Sequence, residues 1–394
     1  MLIKAQTIKD FIINTRRDIH RHPELGYQEF NTAKLIAEQL DEIGIPYQTG
    51  FAKTGVIAEL KRGEGPTVLV RADMDALPID EDTGLTYKST TPGVMHACGH
   101  DTHTAMLLGT IKLLQNEAFT GTIRFLFQPA EEGNYDDPDG FSGAQRMIVE
   151  GALENVDAAI GLHQMPTMPT GTIAITTGSV MAAADFFEIT VAGKSTHAGV
   201  SPEAGIDAVM ISAELILSLQ TIISRQVGPT KTAVISVSTI EGGSAANVIA
   251  DKVRLSGTIR ALDEDIHQQI LKSIQVRCDA FSAIYNTNID FKIYYGVPVT
   301  VNDKEVSRVA TQSARKIFDE ANVIDSISIM GGEDFAYIAQ KVPSCYALLG
   351  TKVTDGEAYP LHSPKMVVNE DALPMGSAYL AQTALDLLVS IKQK

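Results

Sequence analysis

The sequence is poor in features that mark several large classes of protein. It contains no tryptophan and only 6% aromatic residues, so its composition gives no indication of a pocket for bulky aromatic groups. Its three cysteines, Cys98, Cys278 and Cys345, are an odd number and lie far apart in the chain, unlike the disulfide framework of a secreted protein. Cys98 can therefore be a thiolate in a reducing compartment, and a cytoplasmic location is expected.

Long apolar runs and low-complexity tracts are also lacking. No apolar stretch approaches the roughly 18 residues that a membrane-spanning helix needs, so no membrane partner is expected. The amphipathic segment 1–20 predicts a helix, not a signal peptide. Hydrophobic residues make up 44% of the chain and charged residues 20%, which is an ordinary globular balance. At 394 residues the chain is long enough for two domains.

The chain has fewer basic than acidic residues. Its 32 Lys and Arg and its 48 Asp and Glu give a net charge of -16. This charge repels phosphate backbones and argues against nucleic acid as a partner. No Gly-x-Ser-x-Gly motif occurs, which removes the usual serine hydrolase. The run Gly-Lys-Ser-Thr at 193–196 imitates a phosphate-binding loop, but Glu188 replaces the required upstream glycine. Small molecules and peptides remain as substrates.

Three short apolar segments predict buried strands, and each is followed by residues that can carry chemistry. Sites in open α/β sheets form outside the carboxyl ends of the strands, so these residues should meet at one crevice. The predicted strands and the residues that follow them are 67–71 with Asp73 and Asp75, 121–128 with Glu131 and Glu132, and 158–162 with His163.

From about Asp185 the pattern changes to the order β-α-β-β-α-β, which is typical of a ferredoxin-like domain. The predicted elements are 186–192, 205–225, 232–240, 252–261, 263–284 and 288–295. After Val297 helices and strands alternate again, at 307–320, 345–349 and 374–391. We therefore predict an α/β protein with a discontinuous α/β/α domain, 1–184 and 297–394, and an inserted ferredoxin-like α+β domain, 185–296.

The segment 96–103, His-Ala-Cys-Gly-His-Asp-Thr-His, carries the densest chemistry in the chain. It places one thiol, one carboxylate and three imidazoles in eight residues, and such clusters usually bind metals. Apolar residues at helical spacing follow His100, so the cluster should lie at the start of a helix. Further residues of ligand type occur later, at Glu131, Glu132, His163 and His362. This arrangement predicts an assembled two-metal centre of the hydrolase type.

An isolated histidine is more often a core or surface residue than a ligand, but here several candidates converge. The candidate set has one thiolate, three imidazoles and one carboxylate, from Cys98, His100, His163, His362 and Glu132. Such a mixture suits Zn²⁺ and its neighbours Co²⁺, Ni²⁺ or Mn²⁺. It excludes Ca²⁺ and Mg²⁺, which prefer oxygen ligands alone.

The doublet Glu131-Glu132 could be a solvated acidic face, but it follows the apolar run Phe-Leu-Phe-Gln-Pro at 125–129. Neighbouring side chains after a strand point in opposite directions. One glutamate can therefore bind metal while the other faces the substrate as a general base.

Six motifs along the chain closely resemble those of the M20 family of metallopeptidases. They are His-Arg-His-Pro-Glu-Leu-Gly at 20–26, Arg-Ala-Asp-Met-Asp-Ala-Leu-Pro at 71–78, the cluster at 96–103, Gln-Pro-Ala-Glu-Glu-Gly at 128–133, Gly-Leu-His at 161–163 and Gly-Gly-Glu-Asp-Phe at 331–335. The chain is most similar to the amidohydrolase branch, which includes aminoacylases, hippurate hydrolases, N-acetyldiaminopimelate deacetylases and plant auxin-conjugate hydrolases. The resemblance implies a zinc-peptidase-like catalytic domain with an inserted lid and dimerisation domain.

The resemblance also implies roles for individual residues. Cys98 would bridge two divalent metal ions, and the remaining ligands would be His100, Glu132, His163 and His362. Glu131 would be the general base. Asp75 resembles an aspartate that orients a ligand imidazole. Zinc is the expected metal, with manganese, cobalt and nickel left open, because other peptidases of the family have a bridging carboxylate where this chain has Cys98.

In the inserted domain, His197 resembles a lid histidine that reaches the active site of the partner subunit and stabilises the oxyanion. Asn247 and Arg260 resemble contacts to the substrate carboxylate, and Gly332 in the last motif is a further candidate for substrate binding. Arg260 could instead pair with a nearby acid, Asp263 or Asp265. A lid histidine that acts across subunits implies a homodimer or a higher homo-oligomer.

The activity implied is hydrolysis of the amide bond of N-acyl-L-amino acids, which releases a carboxylic acid and a free amino acid. The substrate would be a small N-acyl amino acid or a short peptide. A metallo-dipeptidase or carboxypeptidase-like peptidase of the same fold is the alternative among enzymes. A metal-binding sensor or a degenerate homologue is the alternative outside them, although such proteins usually lose a ligand or the base.

Overall fold

The structure, a computed structural model, describes residues 1–133 and 137–392 of the chain. Within these residues the helices are α1 (Leu2–Thr7), α2 (Lys9–Arg21), α3 (Phe30–Ile43), α4 (His100–Leu114), α5 (Gly143–Val149), α6 (Ala208–Arg225), α7 (Glu264–Tyr285), α8 (Lys304–Ala314), α9 (Phe335–Ala339) and α10 (Leu373–Lys392). Short 3₁₀ turns lie at Pro202–Ala204, Glu320–Asn322 and Glu370–Ala372.

The strands are β1 (Tyr47–Phe51), β2 (Gly55–Arg62), β3 (Thr67–Asp73), β4 (Gly121–Gln128), β5 (Ala158–Pro169), β6 (Ile173–Ala174), β7 (Gly178–Met181), β8 (Ala183–Ala192), β9 (Ala233–Gly242), β10 (Lys252–Ala261), β11 (Ile289–Val297), β12 (Thr300–Asn302), β13 (Val323–Ile324) and β14 (Ser344–Lys352).

The chain forms two compact units. Unit 1 comprises Met1–Val180, Thr300–Ile327 and Glu333–Lys394, and unit 2 comprises Met181–Val299 and Ser328–Gly332. The larger unit is therefore discontinuous in sequence. The sequence predicted domain boundaries at 184/185 and 296/297, whereas the structure has them at 180/181 and 299/300. The sequence also assigned 328–332 to the larger domain, but these residues belong to unit 2.

Unit 1 is built on an eight-stranded mixed sheet in the order β1-β2-β4-β3-β5-β14-β6-β13. Every residue of β3 is buried, as expected for a central strand with both faces covered. Both β4 and β5 pair with β3 in parallel, so the carboxyl ends of the three strands lie at one edge. The predicted α/β class, with strands that deliver their chemistry to one end of the sheet, is confirmed.

Helix α4 connects β3 to β4 and carries the Cys/His cluster at its start. It packs against α2 and α10, and all but one of its residues are buried, which explains its apolar composition. Gly99 precedes the helix with a φ of 88°, a left-handed conformation that favours glycine. A Cβ at this position would lie 2.5 Å from Nε2 of Gln164, so the close approach also requires glycine.

Strand β5 is longer than the sequence predicted. Its pairing with β3 ends at Gly161, but its pairing with β14 continues through His163 and beyond. The predicted end at residue 162 is therefore wrong, because β14 extends β5 past the apolar run. His163 still lies beyond the last β3 contact, at the same edge as the residues that follow β3 and β4.

Unit 2 has the order β8-α6-β9-β10-α7-β11 and a four-stranded antiparallel sheet in the order β11-β8-β10-β9. This is the topology of a ferredoxin-like fold, and it confirms the predicted β-α-β-β-α-β pattern. Buried residues of both helices form one core with the sheet.

By length and composition alone, α6 is apolar enough to cross a membrane. Its residues Ile211, Leu215, Leu219 and Ile222, however, are buried in the core of unit 2. Spaced three or four apart, they form the inward face of an amphipathic helix on a sheet. A core helix therefore accounts for this composition, and the absence of a membrane partner stays a prediction.

A buried ion pair attaches α2 to the start of α4. Nε of Arg16 donates to Oδ2 of Asp101 over 2.7 Å, and both side chains are almost wholly buried. Nδ1 of His20 lies 2.8 Å from the same oxygen. Because Asp101 follows the ligand candidate His100 directly, this pair also fixes the start of the helix that carries the Cys/His cluster.

We expect the variant Arg16→Met to lower the free energy of unfolding by about 3–5 kcal/mol, because Asp101 would be left buried without its guanidinium partner. Lys34→Met, which removes an exposed pair with Glu38 at 3.8 Å, should change it by less than about 0.5 kcal/mol. Urea unfolding of both variants measures the difference. Equal, small changes would contradict this account of the pair.

Candidate metal centre

The structure brings the five ligand candidates together at the carboxyl edge of the unit 1 sheet. Their ligand atoms form two groups, each with its atoms within 4.8 Å of one another. The first group is Cys98, His100 and His163, and the second is Cys98, Glu132 and His362. The thiol belongs to both groups, an arrangement that fits the bridging role predicted for Cys98. The residue roles themselves stay predictions.

His163 presents one particular nitrogen to the thiol. Its Nδ1 donates to the backbone carbonyl of Gln164 over 2.5 Å, which leaves Nε2 unprotonated, 3.3 Å from Sγ of Cys98. Burial lowers the pKa of His163 well below its usual value. The neutral imidazole that a metal requires is therefore the favoured form.

His100 is oriented in the same way by Asp75. Its Nδ1 donates to Oδ1 of Asp75 over 3.0 Å, while its Nε2 is buried without a hydrogen-bond partner in residues 1–133 and 137–392. Such an orphaned nitrogen is costly unless a ligand satisfies it. Although burial opposes the shift, the carboxylates Asp73 and Asp75 raise the pKa of His100 to about 10. A proton and a cation would therefore compete for Nε2.

Asp75 serves two ligand candidates at once. Oδ1 accepts the hydrogen bond from His100, and Oδ2 accepts one from the backbone N–H of Glu132 over 3.0 Å. The sequence predicted the contact to an imidazole but not the contact to the backbone of Glu132. One carboxylate thus fixes the relative positions of two segments that are 32 residues apart in the chain, at 100 and 132.

The second group is the more open part of the centre. Nε2 of His362 lies 3.2 Å from Oε1 of Glu132, and the His362 side chain is about half exposed. His362 has a φ of 64°, and its backbone N–H donates to the carbonyl of Ala97 over 2.9 Å. This bond connects the loop of His362 to the Cys/His cluster.

Glu131 and Glu132 have different partners, although one carboxylate oxygen of each lies within 4.8 Å of the other and of a nitrogen of His100. Glu132 approaches His362, whereas Oε1 of Glu131 accepts a hydrogen bond from the backbone N–H of Asp334 over 3.3 Å. Oε2 of Glu131 lies 3.8 Å from Nε2 of His100. Burial and the charge of Glu333 raise the pKa of Glu131 well above its usual value.

A buried polar layer adjoins the centre, and the sequence indicated only its member Asp73 as a supporting residue. Arg71, on β3, donates to Asp73 over 2.5 Å and to Asp334 over 2.7 Å, and it lies 3.0 Å from Glu333. Asp334 also accepts hydrogen bonds from Gln128 and from the backbone N–H of Ala144. Apart from Ala144, these residues belong to the recognised motifs at 71–78, 128–133 and 331–335.

The same geometry excludes His103 from the ligand set. Its Nδ1 donates to Asp73 over 2.5 Å, and its Nε2 accepts the backbone N–H of Gln164 over 2.9 Å. Both nitrogens are therefore occupied by protein groups, and His103 supports Asp73 and the segment of His163.

The donor set fits a pair of divalent cations. Burial and the charge of Glu132 raise the pKa of Cys98 well above its usual value, so the surrounding residues favour the thiol over the thiolate. A neighbouring cation reverses that preference, because it stabilises the deprotonated sulfur. Together with the unpartnered Nε2 of His100, this supports a site for cations that accept sulfur, nitrogen and oxygen ligands.

The predicted lid residues lie in unit 2. His197 is exposed, and its Nδ1 accepts the backbone N–H of Gly199 over 3.2 Å. This bond places the proton of the neutral imidazole on Nε2, which can donate to a ligand. Asn247 is also exposed. Its backbone carbonyl accepts the N–H of Ala198 over 3.0 Å, and this hydrogen bond joins the segment of Asn247 to the segment of His197.

Arg260 does not form the acidic pairs left open by the sequence. Its guanidinium donates to the backbone carbonyls of Asp185 and Ile259 over 3.3 and 3.0 Å, and Asp263 pairs with Lys231. Within the part of the chain that the structure describes, Arg260 has no carboxylate partner within 4.0 Å. It is a half-buried cation that can accept an anionic ligand.

Gly332 also lies in unit 2. A Cβ there would lie 2.7 Å from side-chain atoms of both Ala184 and Val297. Packing therefore accounts for the glycine, and its contact with substrate stays a prediction.

Comparison with known proteins agrees with this architecture. The model of peptidase family M20/M25/M40 matches residues 69–386. The chain is 39% identical to the N-acetyl-L-cysteine deacetylase of Bacillus subtilis (strain 168), over 98% of this chain and 91% of that protein. It is 40% identical to the thermostable carboxypeptidase 1 of Saccharolobus solfataricus, over 95% of this chain and 94% of that protein.

A solved structure supports the fold at similar identity. A Bacillus subtilis protein described as a dinuclear metal binding peptidase from the M20 family superposes with a TM-score of 0.84 at 36% identity, covering 98% of this chain and 100% of that chain. The family match and these relatives show that the chain belongs to peptidase family M20/M25/M40 and is a hydrolase that acts on amide bonds.

Proposed function

We propose that the protein uses two divalent cations to hydrolyse the amide bond of N-acyl-L-amino acids, releasing a carboxylic acid and a free amino acid. The observation that carries this proposal is the pair of ligand groups that share Cys98, with the carboxylate of Glu131 beside them. The relative named as an N-acetyl-L-cysteine deacetylase supports the N-acyl amino acid class.

In this proposal, Cys98, His100, His163, Glu132 and His362 hold the two cations. Bound divalent cations lower the pKa of water and polarise a carbonyl oxygen. Zinc is the proposed metal because a thiolate among imidazoles favours softer ions, and manganese, cobalt and nickel suit the same donors.

Glu131 takes a proton from the attacking water and returns it to the leaving nitrogen. Its position supports this role, because Asp334 fixes one oxygen and the other faces His100. A carboxylate in this position can accept a proton from water and then donate it to the leaving nitrogen.

Residues of unit 2 complete the proposed reaction. The partner subunit's His197 donates from Nε2 to the oxyanion, in a homodimer or higher homo-oligomer. Arg260 and Asn247 bind the substrate carboxylate. This role is supported by the guanidinium of Arg260, which has no carboxylate partner among the described residues and can bind a carboxylate with two donors. Gly332 is proposed as a substrate-binding position.

The location proposed is the cytoplasm. Cys98, Cys278 and Cys345 are all free and buried. A thiolate ligand at Cys98 requires a reduced sulfur, which a reducing compartment maintains.

A carboxypeptidase activity is the second candidate, favoured by the 40% identical relative of that name. A dipeptidase would also need an acidic group to bind a free α-amine. These activities differ in the group on the acyl side of the scissile bond, so turnover rates on different substrates distinguish them.

The first test measures amine release from N-acetyl, N-benzoyl and longer N-acyl amino acids and from dipeptides. The enzyme is reduced and reloaded with Zn²⁺, Mn²⁺, Co²⁺ or Ni²⁺. We expect turnover of N-acyl amino acids that is lost with a chelator, and a raised KM when the substrate carboxylate is blocked as an amide. Faster turnover of dipeptides than of every N-acyl amino acid would favour the peptidase instead.

Glu131→Ala should lower kcat by about 10²–10⁴-fold, the usual contribution of a general base. Metal content, measured by elemental analysis, should stay at two ions per chain because Glu131 is not in the proposed ligand set. Glu64→Ala, at a side chain that is 93% exposed, is the control and should leave kcat unchanged. Normal turnover of Glu131→Ala would refute the assignment.

Asp75→Ala should weaken metal binding by about 10–100-fold, the usual effect of losing a residue that orients a ligand. Asp75→Asn keeps one oxygen acceptor and should lose less. Competition with a chromogenic chelator measures both affinities. An unchanged affinity in Asp75→Ala would show that its contacts to His100 and Glu132 do not organise the site.

A further inference from the structure

The backbone on both sides of Glu131 is held by buried carboxylates. After Glu131, the N–H of Glu132 donates to Asp75 over 3.0 Å. Before it, the N–H of Ala130 donates to Oε1 of Glu29 over 2.9 Å. Glu29 lies immediately before α3 and has no role in the function proposed above.

Ala130 has an unusual conformation for a residue with a side chain. Its φ is 48°, in the left-handed region where a Cβ is unfavourable. Such conformations persist where surrounding contacts over-determine them, and they cluster at functional sites. Ala130 is fully buried, and the hydrogen bond from its N–H to Glu29 is a contact of this kind.

Glu29 is itself fixed from a third segment. The side chain is fully buried, and Oε2 accepts the hydroxyl of Thr54 over 2.6 Å. Burial and the charge of Asp75 raise the pKa of Glu29 to about 7. Both hydrogen bonds are compatible with a neutral carboxyl, since its carbonyl oxygen accepts from Ala130 and its hydroxyl can exchange donor and acceptor roles with Thr54.

We infer that Glu29 is a positioning residue: by holding Ala130 in its left-handed conformation, it sets the turn from which Glu131 faces the substrate and Glu132 faces the metal. This inference rests on the proposed role of Glu131 as the base. The Glu29 side chain accepts hydrogen bonds from the backbone N–H of Ala130 and the hydroxyl of Thr54, so it acts on Glu131 through the backbone.

The expected loss of kcat follows from the sensitivity of the reaction rate to the position of a general base. A misplacement of about 1 Å can cost about 10²-fold in rate. Glu29→Ala should therefore lower kcat by about 10–100-fold while KM changes less than about threefold, with two metal ions per chain retained. Glu29→Gln keeps an oxygen that can accept from Ala130, and its kcat should stay within about threefold of the wild type.

The control is Asp157→Ala, at an exposed carboxylate. Oδ2 of Asp157 accepts the backbone N–H of Thr67 over 2.8 Å, so this variant removes a carboxylate from a backbone N–H at the opposite end of β3. Its kcat should not change. If Asp157→Ala lowered kcat as much as Glu29→Ala, general destabilisation would explain both and the inference would be overturned.

A second measurement does not depend on activity. Amide hydrogen exchange at Ala130 and Glu132 should be at least about tenfold faster in Glu29→Ala than in the wild type, and unchanged in Asp157→Ala. Unchanged exchange in Glu29→Ala would overturn the inference whatever the enzyme hydrolyses. A wild-type enzyme without amidase activity would instead refute the proposed function, so the two failures are distinguishable.

Two variants complete the test. A loss in Glu29→Gln equal to that in Glu29→Ala would assign the effect to charge and overturn the positioning role.

Should Glu29→Ala fail to fold, Thr54→Val removes the hydroxyl that orients Glu29 and keeps the side-chain volume. It should lower kcat several-fold and accelerate exchange at Ala130, and wild-type behaviour in both measurements would overturn the inference.

Discussion

The dominant physical constraint in unit 1 is the negative charge buried at the carboxyl ends of its central strands. Six carboxyl groups lie at this edge of the sheet: that of the ligand candidate Glu132 and those of Asp73, Asp75, Glu131, Glu333 and Asp334. Arg71 is the cation in direct contact with three of them. Burial and the charge of Glu333 raise the pKa of Glu131 well above its usual value, so this end of the sheet favours further positive charge. Divalent cations meet that need, and their binding should therefore stabilise the fold as well as supply the chemistry.

Among the residues of this carboxylate cluster, hydrogen bonds decide which side-chain atoms remain available to a cation. The Nδ1 atoms of His100 and His163 are both committed to protein acceptors, and Nε2 is left to face the centre. Asp75 and Asp334 have their oxygens satisfied by backbone and side-chain donors, which fixes them as scaffold. Contacts to protein groups thus orient the imidazoles of His100 and His163, which limits the side-chain ordering that would oppose cation binding.

The sequence predicts the parts of this arrangement that are chemically distinctive over a short stretch. β3, β4 and the Cys/His cluster were all found because apolar runs and clustered ligands are local signals. The role proposed for Glu29 was not, since a single acidic residue resembles a surface charge until the fold buries it against a distant segment. Local signals can also be overlooked: α8 begins at Lys304 and not at Ser307, because Asp303 caps the helix through the N–H groups of Glu305 and Val306.

The two named activities among the relatives differ less than their names imply. A deacetylase of N-acyl amino acids and a carboxypeptidase both release an amino acid whose carboxylate is free, and both cleave an amide at its nitrogen. An arginine held by backbone carbonyls without an acidic partner, as Arg260 is in the described structure, would serve either leaving group equally. The proposed metal ligands and the proposed base likewise do not depend on the group beyond the scissile carbonyl. Specificity between the two classes must therefore come from residues that contact the acyl group.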